Sequence, residues 1–257
     1  MLRSAKEMEK FKIKAMDGEI GRLHEFYFDD HTWIVRYIIV DTGTWLAEKL
    51  VLISPESFKK LNWEDKSFNV NLDKQQIEDS PDVDKAKPVS RQNEIELIGY
   101  YGWPMYWTGI GGPTIGAFPP SNAALAGMEE EIHQMRKKEK KGDPNLRSTR
   151  EVISYGIHAS DGQIGHVEDF LIDDSTWNIR YMIVDTRNIL PGKKVIMSPE
   201  WIEKIVWAES NVYLRLTKDE IKNSPEYDPS VQFKREYENK LYEYYGRRKY
   251  WENDRET

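Results

Sequence analysis

Apolar and polar positions alternate in short runs along this chain, each run ends at a turn residue, and the pattern is written twice. The first run, 11–15 (Phe-Lys-Ile-Lys-Ala), stops at Met16-Asp17-Gly18, where an Asp-Gly pair tolerates the positive φ of a tight hairpin turn. Residues 19–28 continue as the returning strand. A second turn at Asp29-Asp30-His31-Thr32 has short polar side chains that can bond their own backbone, and 33–40 (Trp-Ile-Val-Arg-Tyr-Ile-Ile-Val) follows it. That run is apolar on both faces and dense in β-branched and aromatic residues, which places it centrally in a sheet. A fourth strand over 49–53 ends at Ser54-Pro55, a cap followed by a residue suited to open a short helical turn through Phe58. Two further strands are predicted over 61–64 and 68–72, then a brief helix capped by Asp73 that stops before Ser80-Pro81. Ile20 and Leu23 are out of step with Phe26 and Phe28, as a bulge at Gly21 would make them.

Every one of these signals recurs 144 positions later. Asp17-Gly18, Gly21, Asp29-Asp30, Thr32-Trp33, Arg36-Tyr37, Asp41, Ser54-Pro55 and Tyr106-Trp107 return as Asp161-Gly162, Gly165, Asp173-Asp174, Thr176-Trp177, Arg180-Tyr181, Asp185, Ser198-Pro199 and Tyr250-Trp251 (161 − 17 = 144 and 250 − 106 = 144). Residues 2–107 lie on 146–251 without a gap, and roughly two positions in five are identical, so a small fold has been duplicated. The reading is a first repeat over 1–107, a linker over 108–145 and a second repeat over 146–257. About six short strands per copy, with too little helix to cover an open sheet, predict a mainly β chain of two small antiparallel six-stranded barrels in tandem. Like copies in one chain could also pack as an intramolecular pseudo-dimer.

Composition narrows the chemistry. A length of 257 residues suits two domains of ordinary size, and the absence of cysteine removes disulfides, thiol catalysis and thiolate metal sites. The net charge of −7, from 37 basic and 44 acidic side chains, argues against sequence-independent nucleic-acid binding, which needs a basic surface. The N-terminus is charged from the start and carries no apolar leader, and no run of about 20 apolar residues is free of helix breakers. The expected setting is the cytoplasm, with peripheral contact at the inner membrane face as the variant.

The strongest chemical constellation is acidic: Asp29, Asp30 and Asp41, with Asp173, Asp174 and Asp185 in the second copy. Neighbouring carboxylates can hold a hard cation, which would make the chain a metal-dependent hydrolase, but Asp-Asp at a hairpin turn is what turn chemistry selects unaided. Arg36 and Arg180, set among apolar residues on the central strands, call for a buried partner such as Asp41 or Glu56. None of the five histidines is kept between copies: His24 faces Glu168, His31 faces Ser175, His158 faces Lys14, His166 faces Arg22, and His133 lies in the linker. No catalytic residue, cofactor or metal site is therefore nominated.

From 97 to 128 there is no charged side chain, yet the stretch holds Trp103, Met105, Tyr106, Trp107 and Phe118 among many Gly and Pro. Such a stretch marks either a partner surface or a tail that packs on its own repeat. Recurrence of Tyr100-Tyr101-Gly102 as Tyr244-Tyr245-Gly246 favours packing, whereas the change from Trp103-Pro104-Met105 to Arg247-Arg248-Lys249 gives the two ends different contact chemistry. A charged helix is predicted over 128–141.

The runs Asp17 to Gly21, Asp29 to Thr42 and Val51 to Glu56, with their second copies, resemble the PRC-barrel domain family. That domain occurs in the cytoplasmic part of the H subunit of photosynthetic reaction centres and at the C-terminus of a ribosome maturation factor. The resemblance implies a six-stranded barrel and a role in protein association: a scaffold of a photosynthetic or other membrane energy-transducing complex. A ribosome-maturation factor associated with RNA and ribosomal protein is the second reading.

Overall fold

The computed structural model describes residues 1–46, 49–81, 89, 91–107, 145–186 and 193–253. In chain order these form β1 (Leu2–Ser4), α1 (Ala5–Met8), β2 (Lys12–Ala15), β3 (Gly18–Asp29), β4 (Ile34–Asp41), β5 (Leu50–Ile53), β6 (Phe58–Asn62), β7 (Ser67–Val70), α2 (Lys74–Glu78) and α3 (Arg91–Tyr101). The second repeat gives β8 (Leu146–Ser148), α4 (Thr149–Val152), β9 (Gly156–Ala159), β10 (Gly162–Asp173), β11 (Ile179–Asp185), β12 (Lys194–Met197), β13 (Ile202–Val206) and β14 (Asn211–Leu214), then α5 (Lys218–Asn223), α6 (Arg235–Tyr245) and α7 (Tyr250–Asn253). The chain is mainly β. No helix among the described residues is long and apolar enough to cross a membrane.

Two compact units result, and neither coincides with a sequence repeat. The N-terminal unit consists of Met8–His31 and Val35–Arg147; the C-terminal unit consists of Ser148–Thr257 together with Met1–Glu7 and Thr32–Ile34. Each holds one seven-stranded sheet. In the N-terminal unit the order is β5-β4-β3-β2-β7-β6 with β8 beside β3; in the C-terminal unit it is β12-β11-β10-β9-β14-β13 with β1 beside β10.

The sheets correct the sequence reading in two respects. They are mixed rather than antiparallel, because β7 runs parallel to β2 and β14 parallel to β9. Each has seven strands rather than six, since a three-residue strand from the other repeat is added to the long strand β3 or β10. The described pairings form an open ladder in both units. The boundaries shift as well: Phe58 begins β6 instead of closing a helical turn, and the strand predicted over 33–40 starts at Ile34 because Trp33 adopts φ 57°.

Local signals set the remaining elements where expected. Ser54 and Ser198 each accept the N–H of the following Glu at 3.3 Å, capping a single turn opened by proline. Asp73 and Thr217 form capping boxes with Gln76 and Glu220. The bulge falls at the glycines: β2–β3 pairing shifts register beside Gly21, and β9–β10 pairing shifts beside Gly165. A Cβ at Gly21 would lie 2.1 Å from the carbonyl oxygen of Asp41, and one at Gly165 would lie 2.0 Å from that of Asp185, so only glycine lets β4 and β11 approach this closely. β4 and β11 are interior strands, and Ile38, Val40, Tyr181, Met182 and Val184 on them are fully buried or nearly so.

Candidate functional site

Three features stand out once the chain is folded, and two of them occur in both units. The first is a clasp on the added strand. In the C-terminal unit β1 pairs antiparallel with β10 in the register Leu2↔Asp173, Arg3↔Ile172, Ser4↔Leu171, and the Asp174 N–H donates to the Met1 carbonyl at 2.9 Å. Arg3 Nε meets Asp174 Oδ2 at 3.3 Å. In the N-terminal unit the Asp30 N–H donates to the Asn145 carbonyl at 2.8 Å, and Arg147 Nε meets Asp30 Oδ2 at 3.2 Å. The second turn aspartate of each repeat is therefore the anchor for a strand from the other repeat.

Asp169 completes the clasp. It stands beside a register shift in β10 and is 5 % exposed. Its Oδ1 accepts the N–H groups of Phe170 at 2.7 Å and Lys6 at 3.1 Å, and its Oδ2 accepts the Ser4 hydroxyl. Ser4 Oγ in turn accepts the Glu7 N–H at 3.0 Å and caps α1. Burial pushes the Asp169 carboxyl above its ordinary range, against these hydrogen bonds.

The second feature is an arginine–tyrosine–glutamate cluster built around a buried glutamate. In the C-terminal unit Glu238 on α6 accepts the Tyr181 hydroxyl at 2.8 Å and the Tyr250 hydroxyl at 3.0 Å, and pairs with Arg235 Nη1 at 2.8 Å. The Arg180 guanidinium lies 4.3 Å from the Tyr250 ring centre, and that of Arg235 lies 4.2 Å from the Trp251 ring. Burial raises Glu238 above the usual carboxylate range and, with the Glu238 charge, raises the Tyr181 phenol; Tyr250 is pushed up to about 12. The N-terminal unit repeats the arrangement. Glu94 on α3, with no exposed surface, accepts the Tyr106 hydroxyl at 2.8 Å, and Arg36 lies 4.0 Å from the Tyr106 ring. Burial lowers the Arg36 pKa, with Tyr106 as the largest opposing influence. Arg36 and Arg180 thus meet tyrosine rings, with the charges of Asp29 and Glu94 also acting on Arg36, and their partners are not Asp41 or Glu56. Asp41 is exposed and accepts the Gly43 N–H at 2.9 Å.

The third feature is a cleft of about 470 Å³ in the C-terminal unit, beside β1. Arg3, Glu7, Glu168, Lys194 and Tyr227 line it, with Asp169 at its floor. Lys194 Nζ and Glu168 Oε1 pair at 2.7 Å across one wall. Burial, then the Asp169 charge, pushes the Tyr227 phenol up to about 12.

The acidic constellation divides on folding. Asp29 and Asp173 accept N–H groups within their own turns, from His31 and Ser175 at 3.0 Å, while Asp30 and Asp174 hold the added strands. Asp17 and Asp161 accept the first N–H of α2 and α5, from Lys74 at 3.0 Å and Lys218 at 2.8 Å. Among the described residues no group of three His, Asp or Glu side chains is placed to hold a metal ion.

Trp103 and Met105, candidates for a partner surface, are buried in the N-terminal unit. Trp103 Nε1 donates to Ser57 Oγ at 2.8 Å and its ring stacks on Tyr101 at 4.3 Å. Tyr106 and Trp107 are half-buried in the cluster, whereas Arg247 and Arg248 are exposed. Phe118 and the helix predicted over 128–141 lie outside the described residues.

Glu94 and Glu238 were missed by sequence reasoning, although they too stand 144 apart (238 − 94 = 144). Donors Leu2-Arg3-Ser4 and Leu146-Arg147-Ser148 carry the same signal. No family model matches the chain, and no curated protein matches it.

Proposed function

We propose that this chain is a protein-association module, a scaffold of two PRC-type barrels that works by holding partners and not by turning over a substrate. One observation carries the reading. The polar groups retained in both repeats, Arg36/Arg180, Glu94/Glu238, Tyr106/Tyr250 and Asp30/Asp174, bind one another or the backbone inside each unit. On the surface the repeats differ at Arg247-Arg248, which are exposed where the first repeat has the buried Trp103 followed by Pro104. A fold that keeps its interior polar groups and varies its surface is suited to recognition.

In this reading each open ladder curls into a barrel, with the bulges at Gly21 and Gly165 supplying the bend. Slow hydrogen exchange at the outer amides of β5 and β6 tests that closure, and free exchange there argues against it. The association itself is tested by capture from an extract of the source cells with the full chain and with an Arg247→Glu/Arg248→Glu chain. A stoichiometric protein recovered by the first and lost by the second is expected; background alone in both refutes the reading. The inner membrane face is the proposed location, and flotation of the chain with anionic vesicles tests it.

A further inference from the structure

The two donor segments are the same peptide. Leu2-Arg3-Ser4 and Leu146-Arg147-Ser148 are identical, and each continues with Glu three residues after the serine, as Glu7 and Glu151. Ser4 and Ser148 cap the helical turn that follows by accepting the N–H of that Glu, at 3.0 Å and 3.2 Å. The acceptors match as well, an aspartate at the end of a long strand that takes the donor arginine at 3.2 Å or 3.3 Å. Where donor passes into repeat body, Lys10 and Ser154 have φ 71° and 82°, so both donors leave through the same left-handed corner. The donor strand and its arginine–aspartate pair are therefore the same in both units, while Asp169 stands where the first repeat has Glu25.

We propose that the acceptor edge of β10 also takes this donor from a second copy of the chain, so that two chains trade residues 1–7 and form a strand-exchanged dimer. The contacts of the dimer are those already made in the monomer: the β1–β10 ladder, the Arg3–Asp174 pair and the Asp169 clasp on Ser4 and Lys6. Exchange of identical elements needs no new surface, and it is favoured when chains fold together at high concentration. The proposal deepens the association reading by naming one partner. It fails separately from it, because capture of another protein does not depend on exchange between chains.

The test uses two full-length variants, Arg3→Glu and Asp174→Arg. Each alone places like charges at the clasp of a closed monomer. Unfolded together at high concentration and refolded, they recover opposite charges at both clasps only by trading N-terminal segments: the altered donor then meets the altered acceptor, and the remaining clasp is native. Native mass spectrometry is expected to show a 1:1 heterodimer in excess over either homodimer, with a thermal midpoint above that of each variant alone. Monomers only, across the accessible concentration range, or homodimers as abundant as heterodimers, overturn the proposal. Should either variant fail to fold, two isotopically distinct wild-type chains are refolded together. Mixed-mass dimers that persist on dilution support exchange, and exclusively monomeric protein overturns it.

Discussion

Replacing Glu238 tests most sharply how each unit is held together. The side chain is 3 % exposed and makes three contacts of hydrogen-bond length: Tyr181 at 2.8 Å, Tyr250 at 3.0 Å and Arg235 at 2.8 Å. Glu238→Ala leaves the Tyr181 hydroxyl buried without its acceptor and the half-exposed Arg235 without its counter-ion. The stranded hydroxyl costs about 1–3 kcal/mol, and the Arg235 pair, screened because Arg235 is 51 % exposed, adds about 0–1 kcal/mol. Glu238→Gln keeps the shape and the acceptor oxygen for the two hydroxyls but places an amide N–H₂ against the half-exposed Arg235, and the expected loss is about 0.5–1.5 kcal/mol. In a unit of this size each kcal/mol moves the midpoint by roughly 3–6 °C. The alanine variant should therefore melt its unit roughly 3–24 °C early, and the glutamine variant by about half that or less. The assay is calorimetry of the full chain, with Glu94→Gln as the parallel change in the N-terminal unit. A loss below about 1 kcal/mol for Glu238→Ala would refute the claim that the cluster ties α6 and the C-terminal aromatics to the sheet.

Further outcomes follow from the same contacts. Gly165→Ala forces a Cβ to within 2.0 Å of the Asp185 carbonyl oxygen, and chemical denaturation should register overpacking of at least about 1–3 kcal/mol. Gly43→Ala, which meets no atom within 4 Å, should cost only the strain of its φ of 55°. Asp169→Ala leaves the buried Phe170 N–H and the half-buried Ser4 hydroxyl without this acceptor and should cost about 1–3 kcal/mol, whereas Asp169→Asn, which can still accept the Phe170 and Lys6 N–H groups, should cost less. Burial raises the folded pKa of Asp169, so its contribution is full below the unfolded value of about 3.9 and is lost as pH rises through the folded value. Urea titrations should therefore show wild type losing stability relative to Asp169→Asn as pH rises above about 4, and parallel pH curves would contradict that sign.

Much of the fold was legible because it depends on short-range chemistry. Asp17-Gly18 made its turn, Ser54-Pro55 and Asp73 capped their helical turns, and Gly21 marked the bulge in β3. Each of these is settled within a few residues or by a contact that only glycine permits. What was not legible is decided over long range. A three-residue strand is too short to show periodicity, and a donor written identically in both repeats does not say which long strand it joins. The parallel placement of β7 on β2 depends on the path of the intervening chain, which alternation does not encode. The arginine partners were sought among the carboxylates nearest in sequence. Glu94 and Glu238 reach the central strands only because α3 and α6 carry them there, more than fifty positions further along. The uncharged stretch left Trp103 between a partner surface and packing on its own repeat, with recurrence favouring packing, and Tyr101 and Ser57 do enclose it.

That each unit is built from both repeats is the claim on which the rest stands, and a pair of disulfide traps measures it directly. The chain has no cysteine of its own, so a new pair can only react with itself. Leu2 and Asp173 are register partners, and facing residues of an antiparallel pair lie about 4.5–5.5 Å apart, within disulfide reach. In dilute solution Leu2→Cys/Asp173→Cys should close quantitatively within one chain, while Leu2→Cys/Asp29→Cys, which tests pairing inside the first repeat, should stay reduced. Closure of the second pair in place of the first would show that each repeat keeps its own strand, and would contradict the account.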